Sequence, residues 1–154
     1  MDCYVKIALM SICQKIAFLI YLLNAIAMLA IGAIYQFSDE FMPYHSDIIQ
    51  MSWRELTENQ RILYIGMMRT EAAGFLASSV AILYLLLIPY RTGARWATYA
   101  IATVGIIEYL PSAIATHHVS QVTSASPPWQ MLSAGIGLLT AALVLSLFGK
   151  SRVN

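Results

Sequence analysis

Four long apolar stretches alternate with short polar ones along this chain. They cover about residues 16–37, 70–90, 96–115 and 129–148. Each is long enough to cross the hydrocarbon of a bilayer as a helix, which takes about 20 residues. The pattern predicts an all-α fold, an antiparallel bundle of four transmembrane helices, in a single membrane domain covering residues 1–154.

The polar segment 38–60, between the first two stretches, is predicted to be an extracytoplasmic loop. Within it, the run from Ser52 to Glu55 has the spacing of a capping box, in which a serine and a glutamate satisfy free amide groups at a helix start. Apolar residues at helical spacing surround Trp53. We therefore expect a short amphipathic helix here, lying at the membrane surface with Trp53 at the level of the headgroups. The later segment 116–128 is predicted to be a second loop on the same side.

The composition excludes a soluble domain. The 154 residues are 59% hydrophobic and only 11% charged, whereas soluble domains are about 25% charged. The net charge is +1 and basic residues form no run, so no nucleic-acid partner is predicted. The predicted partners are the lipid bilayer and either other membrane protein subunits or further copies of this chain.

The basic residues indicate the orientation of the chain. Those that flank one end of the predicted bundle are Lys6, Lys15, Arg91, Arg95, Lys150 and Arg152. Since loops rich in lysine and arginine stay in the cytoplasm, both termini are predicted to be cytoplasmic. The expected location is a bacterial inner membrane.

Glu108 stands in the middle of the third stretch, where a carboxylate is costly unless it has a partner, water or a task. Counting about 1.5 Å per residue from Trp96 places it past the midplane. Ser78 and Ser79 lie at matching depth and Tyr109 is adjacent, so these three are the candidate substrate-binding residues. Glu108 is either a neutral acid that binds neighbouring helices, a proton relay or substrate-holding acid, or a group exposed to a water-filled vestibule.

Arg69 and Glu71 open the second stretch, near the outer edge of the hydrocarbon. Two residues apart, they face different sides of a helix and are not expected to pair directly. The simplest interpretation is that both anchor the helix at the interface. In the alternative, Arg69 points into the bundle and compensates Glu108 through water or a shared ligand.

The histidines are weak candidates for a metal site. His45, His117 and His118 fall in the two predicted outer loops, together with several carboxylates. Imidazole and carboxylate ligands suit zinc or copper, but no HExxH spacing is present. We therefore interpret them as solvated loop residues and predict no metal.

No motif of a known catalytic site or cofactor is found. The sequence has no GxSxG motif and no phosphate-binding loop, and its two cysteines form no CxxC. Haem would require histidines within the spans. No cofactor is therefore predicted.

Small residues at intervals of four mark faces where helices can approach closely in lipid. They are Gly74 and Ser78 in the second stretch, and Ser133, Gly137 and Ala141 in the fourth.

The run from Glu71 to Leu76, followed by apolar residues and the turn with Arg91 and Arg95, resembles the second helix of DoxX-like proteins. These are small bacterial four-helix membrane proteins, some of which are associated with quinone-linked oxidation systems. The resemblance covers one helix and a turn. It implies the same fold class and leaves the activity open.

Two functions follow from the sequence as hypotheses. The first is a non-enzymatic accessory or scaffold subunit of a larger membrane complex, favoured by the small size and the packing faces. The alternative is a small membrane enzyme or carrier for a lipid, quinone or other hydrophobic substrate. In that case Glu108 is the acid, base or proton carrier, and Arg69 holds an anionic or carbonyl group.

Overall fold

The computed structural model describes residues 10–149, and this part of the chain is helical without strands. The helices are α1 (Ile12–Phe37), α2 (Pro43–Ile49), α3 (Glu58–Leu85), α4 (Arg95–Val122) and α5 (Trp129–Phe148). A 3₁₀ turn covers Trp53–Glu55, and a π turn, Leu86–Tyr90, extends α3. All but α2 are long and apolar enough to cross a membrane, so the predicted all-α fold with four membrane-length helices is confirmed.

Capping residues set where α1 and α3 begin. Ser11 accepts a hydrogen bond from the Gln14 amide before α1, and Thr57 accepts one from the Gln60 amide before α3. With its π turn, α3 has 33 residues and is therefore about 50 Å long. The hydrocarbon is about 30 Å thick, so α3 extends beyond the membrane at its beginning.

The four long helices form a ring in which α1 and α4 each pack against α3 and α5. Contacting residues run in opposite directions along α1 and α3. Gly32 lies against Leu76, whereas Gln14 accepts a hydrogen bond from the Tyr90 hydroxyl at the other end. Side chains that are fully buried between the helices include Tyr21, Met28, Phe75, Ile82, Ile101 and Leu139.

The two ends of the ring differ. The end where α1 begins and α5 stops is here called the termini side; there Gly149 lies against Ser11. The opposite end, called the far side, carries α2 and the connection between α4 and α5. A second small core lies on this side and consists of Phe41, Leu56 and Met68, with Trp53 and Tyr64 packed on it.

The predicted amphipathic helix around Trp53 is wrong in position. The helix of this segment is α2, which starts at Pro43, a residue favoured in the first turn, and ends at Gln50 in the left-handed conformation (φ 54°). The capping box of Ser52 and Glu55 does form. It closes only one 3₁₀ turn, because Thr57 already begins α3.

The predicted loop 116–128 is also wrong in its first half, because α4 continues to Val122. Its polar side chains are compatible with a helix since their hydroxyls bond back to carbonyls of the same helix. Thr116 donates to Ser112 O at 2.6 Å and Ser120 donates to His117 O at 2.7 Å. These hydroxyls therefore have hydrogen-bond partners within the helix and do not require solvent.

Candidate functional site

A line of polar groups runs between α3 and α4 through otherwise apolar surroundings. It consists of Glu71, Gly74 and Ser78 on α3, and Glu108 and Ser112 on α4, and is called the carboxylate seam. These intervals of three and four residues place each set on one face of its helix.

Glu108 is half-buried in the deeper part of the seam. The Ser78 hydroxyl donates to its Oε2 atom at 3.0 Å. A Cβ atom at Gly74 would lie 2.9 Å from Oε1. The carboxylate thus rests directly on the α3 backbone, in space that a side chain at position 74 would make it leave.

Glu71 occupies the shallower part and repeats the arrangement with the helices exchanged. Ser112 of α4 donates to its Oε1 atom at 3.4 Å, a longer and weaker bond than that of Ser78. The two carboxylates are close enough for their charges to interact. The seam therefore places two acids close together, with one serine donor for each.

The end of the seam at Glu71 opens into a cleft of about 270 Å³, here called the far-side cleft. All four long helices and α2 contribute to its walls. The lining residues are Ile31, Ile34, Tyr35, Met42, Pro43, Tyr44, Glu71, Phe75, Thr116, Pro128, Met131 and Leu132. Glu71 thus belongs both to the seam and to the cleft.

Two tyrosines form the polar part of the opposite wall. The hydroxyl groups of Tyr35 on α1 and Tyr44 on α2 are 2.7 Å apart and share a hydrogen bond. Burial, that hydrogen bond and the charge of Glu71 all raise the pKa of Tyr44, in that order of size. Tyr44 is therefore a neutral hydroxyl at physiological pH.

Several residues singled out in the sequence lie away from this site. Ser79 is fully buried and donates to Ala25 O of α1 at 2.8 Å, so it faces away from Glu108. Tyr109 packs its ring against Gly135 of α5. Both are thus part of the packing between helices.

Arg69 is exposed and does not reach Glu108. It is two residues from Glu71, which turns it by about 200° around α3 at about 100° per residue. The structure therefore does not place a guanidinium over the seam.

His117 and His118 are adjacent on α4, whereas His45 belongs to α2. His45 sits among aromatic rings, with its Nδ1 atom accepting a hydrogen bond from the Met42 amide, and burial lowers its pKa. His117 packs edge-on against Trp129. In the described part of the chain, no three His, Cys, Asp or Glu side chains are grouped to hold a metal ion.

A second cleft, of about 390 Å³, lies on the termini side. Gln14, Tyr90, Arg95, Thr98 and Ser146 contribute its polar groups. The Tyr90 hydroxyl joins the Ser146 hydroxyl at 2.8 Å and the Gln14 carbonyl at 3.2 Å. These bonds connect three helices, so this cleft is a polar joint of the bundle.

The sequence analysis did not find Ser112, Tyr35 or Tyr44. Ser112 lies four residues after Glu108, which places it on the same face of a helix; this signal is present in the sequence. Nothing in the sequence pairs Tyr35 with Tyr44, because that contact depends on how α2 folds over the end of α1.

The fold and composition define an integral membrane protein built on a four-helix bundle. Comparison with known proteins adds no narrower assignment, since no protein-family model, no curated protein and no solved structure matches the chain. The function must therefore be argued from the far-side cleft and the carboxylate seam.

Proposed function

We propose that this membrane protein binds a small hydrophobic molecule in the far-side cleft, as a carrier or an enzyme for that molecule. The observation that carries the proposal is the cleft itself. It has mainly apolar walls and a few converging polar groups, which is the usual composition of small-molecule sites.

The size of the cleft limits the ligand. Pockets for small molecules are commonly about 300–1,000 Å³, and 270 Å³ lies just below that range. A single ring or one short chain fits, with any longer tail passing out between the helices into lipid. Quinones, lipids and other hydrophobic molecules with a small head are compatible with these dimensions.

The roles of the two acids are assigned by depth. Glu71 lines the cleft and meets the ligand, whereas Glu108 lies below it, on Gly74. In an enzyme or proton-coupled carrier, Glu108 is the second acid with which Glu71 exchanges protons along the seam. The class of hydrophobic substrate agrees with the resemblance to DoxX-like proteins, some of which are associated with quinone-linked systems.

A pair of tryptophan variants tests the cleft. Ile34 lines it, and Leu23 lies on the same helix but outside it; both are 55% exposed. We expect Ile34→Trp to fill the cleft and remove copurifying or added hydrophobic ligand, as observed by native mass spectrometry. Leu23→Trp should leave the bound mass unchanged. Equal ligand occupancy in the two variants would contradict the proposal.

A second function, that of an accessory or scaffold subunit, is favoured by the outer face of α5. Ser133, Gly137 and Ala141 are exposed there, and no atom of the described chain lies within 4 Å of a Cβ placed at Gly137. A stripe of small residues lets another transmembrane helix approach closely. The bundle itself does not use it.

The accessory hypothesis has its own test. Gly137→Ile leaves the bundle contacts intact and should dissociate any partner from complexes extracted in mild detergent. Leu138→Phe, at an exposed position about 100° away around the same helix, is the matched control. If native mass spectrometry shows the wild-type protein alone, the accessory function is excluded.

The orientation is proposed from the basic residues, with both termini in the cytoplasm of a bacterial inner membrane. Lys15, Arg91 and Arg95 are on the termini side, and Arg54 and Arg61 are on the far side. In a background with both native cysteines replaced, Cys3→Ser and Cys13→Ser, a cysteine at exposed Ser124 should react with an impermeant maleimide on intact cells. A cysteine at exposed Thr92 should react only after the cells are opened.

A further inference from the structure

We propose that the ligand of the far-side cleft is an amphiphilic cation, such as a lipophilic amine or quaternary ammonium compound, held by the carboxylate of Glu71. This inference rests on the proposed binding function and adds the charge of the ligand to it.

The ionisable groups in the walls of the cleft favour a cation over an anion. Among the residues that line the cleft, Glu71 is the only acid, and none is lysine, arginine or histidine. The Tyr35 and Tyr44 hydroxyls are bonded to each other. A ligand with a negative head would therefore meet a carboxylate and no compensating positive group.

Three bases on the far side, Arg61, His45 and Arg69, do not line the cleft. Arg61 lies over the Trp53 ring and donates to the carbonyls of Trp53 and Arg54. His45 is held by the Met42 amide, and burial keeps its imidazole in the neutral form by lowering its pKa. Arg69 faces away from the cleft. An ionised Glu71 therefore has none of these bases as a partner in the cleft.

The neighbouring carboxylate strengthens this requirement. Glu108 lies along the seam, close enough to Glu71 that two ionised carboxylates would repel each other. Ionisable groups at membrane depth are costly unless they pair with an opposite charge. A cation entering the cleft supplies that charge, whereas a neutral ligand does not.

The aromatic walls provide the remaining contacts. Tyr35, Tyr44 and Phe75 line the cleft together with aliphatic side chains. Cations are attracted to the faces of aromatic rings, and this attraction is the usual basis for recognising quaternary ammonium groups. The aliphatic residues Ile31, Ile34 and Leu132 are suited to an apolar tail.

The test uses three probes that share a tail and differ in the head: decyltrimethylammonium, 1-decanol and decanoate. The protein is placed in nanodiscs of phosphatidylcholine, which has no net charge, and the dissociation constant of each probe is measured by titration. We expect Glu71→Gln to weaken binding of decyltrimethylammonium about tenfold or more and to leave 1-decanol unchanged. Comparing variants for the same probe cancels its partitioning into the bilayer.

Two controls refine the result. Glu40→Gln removes an exposed far-side acid that does not line the cleft, and it should change no dissociation constant. Glu71→Asp keeps the charge and should retain much of the preference for the cation. A loss with Glu40→Gln equal to that with Glu71→Gln would show general attraction by the surface and would overturn the inference.

Other outcomes separate this inference from the proposed function. If 1-decanol and the cation bind equally, Glu71→Gln affects neither and Ile34→Trp removes both, the cleft binds ligands without selecting a cation and the inference fails alone. If decanoate binds most tightly, the inference likewise fails. If no probe distinguishes wild type from Ile34→Trp, both the inference and the proposed function fail.

Discussion

The two faces of α3 use the same residue types for different purposes. Toward α1, Gly32 lies against Leu76, and Ser79 of α3 donates to a backbone carbonyl. Toward α4, Gly74 of α3 lies against the carboxylate of Glu108, and Ser78 donates a hydrogen bond to the same carboxylate. One face is a packed, apolar contact and the other is a polar seam.

This difference shows that adjacent serines cannot be interpreted from the sequence alone. Ser78 and Ser79 are about 100° apart around the helix, which is enough to place one against α4 and the other against α1. A small residue that permits close approach also has two uses. At Gly32, the space beside the glycine is filled by the backbone and a branched side chain of the neighbouring helix, which cannot move freely. At Gly74, it is filled by the flexible end of an acidic side chain.

Gly32→Ala should have the largest effect on stability. The added Cβ would lie 2.8 Å from Leu76 Cγ and 3.2 Å from the Ala72 carbonyl oxygen, and neither atom can move freely. Overpacking of this kind costs about 1–3 kcal/mol. The measurement is the free energy of unfolding in mixed micelles of dodecyl maltoside and dodecyl sulfate.

Gly137→Ala is the control for that variant, since its Cβ meets nothing. Replacing glycine in a helix interior by alanine stabilises by about 0.5–1 kcal/mol. If both variants were stabilised equally, the close contact between α1 and α3 would be excluded.

Gly74→Ala should have a smaller effect of opposite sign. Here the Cβ meets only the carboxylate of Glu108, with Oε1 at 2.9 Å, and this flexible end can shift. The gain of about 0.5–1 kcal/mol from helix propensity should therefore be largely kept in the same unfolding assay. Destabilisation as large as that of Gly32→Ala would mean that the seam is as rigid as the packed face.

The sequence predicts the helices better than their ends. Runs of apolar residues identify all four long helices because hydrophobic length is a direct requirement of the membrane. The same signal is absent where α4 continues past Thr116, since hydroxyl side chains can bond either to solvent or to the helix itself. For that reason His117 and His118 were wrongly expected in a loop.

Part of the candidate site is also visible in the sequence. A carboxylate in an apolar stretch identifies Glu108 as notable, and matching depth selects the pair Ser78 and Ser79 without deciding between them. The far-side cleft is not predictable in this way. It depends on α2 folding over the bundle, and the capping pattern at Ser52 points to a helix in the wrong place.

The third prediction concerns the coupling between serine and acid across the seam. In a double-mutant cycle, Ser78→Ala and Glu108→Gln should couple by about 0.6 kcal/mol, the average for interhelical hydrogen bonds in a membrane protein. Ser79→Ala and Glu108→Gln should be additive, because Ser79 bonds to α1. Unfolding free energies of the variants, measured in mixed micelles, provide both values. Coupling through Ser79 instead would reverse the assignment of the two faces.

The smallest effect is expected at the shallow end of the seam, between Ser112 and Glu71. Their hydrogen bond is 3.4 Å long, compared with 3.0 Å for Ser78 and Glu108, and hydrogen bonds weaken as they lengthen. The coupling of Ser112→Ala with Glu71→Gln should therefore lie below about 0.6 kcal/mol in the same cycle. A ligand cation in the cleft should then change the result, because Glu71 would bind the ligand in place of the serine. Repeating the cycle with saturating decyltrimethylammonium should reduce the Ser112 coupling further and leave that of Ser78 unchanged. This repeat uses thermal unfolding in dodecyl maltoside alone, because dodecyl sulfate would pair with the cation. A parallel change at both serines would show that the two acids respond as one group.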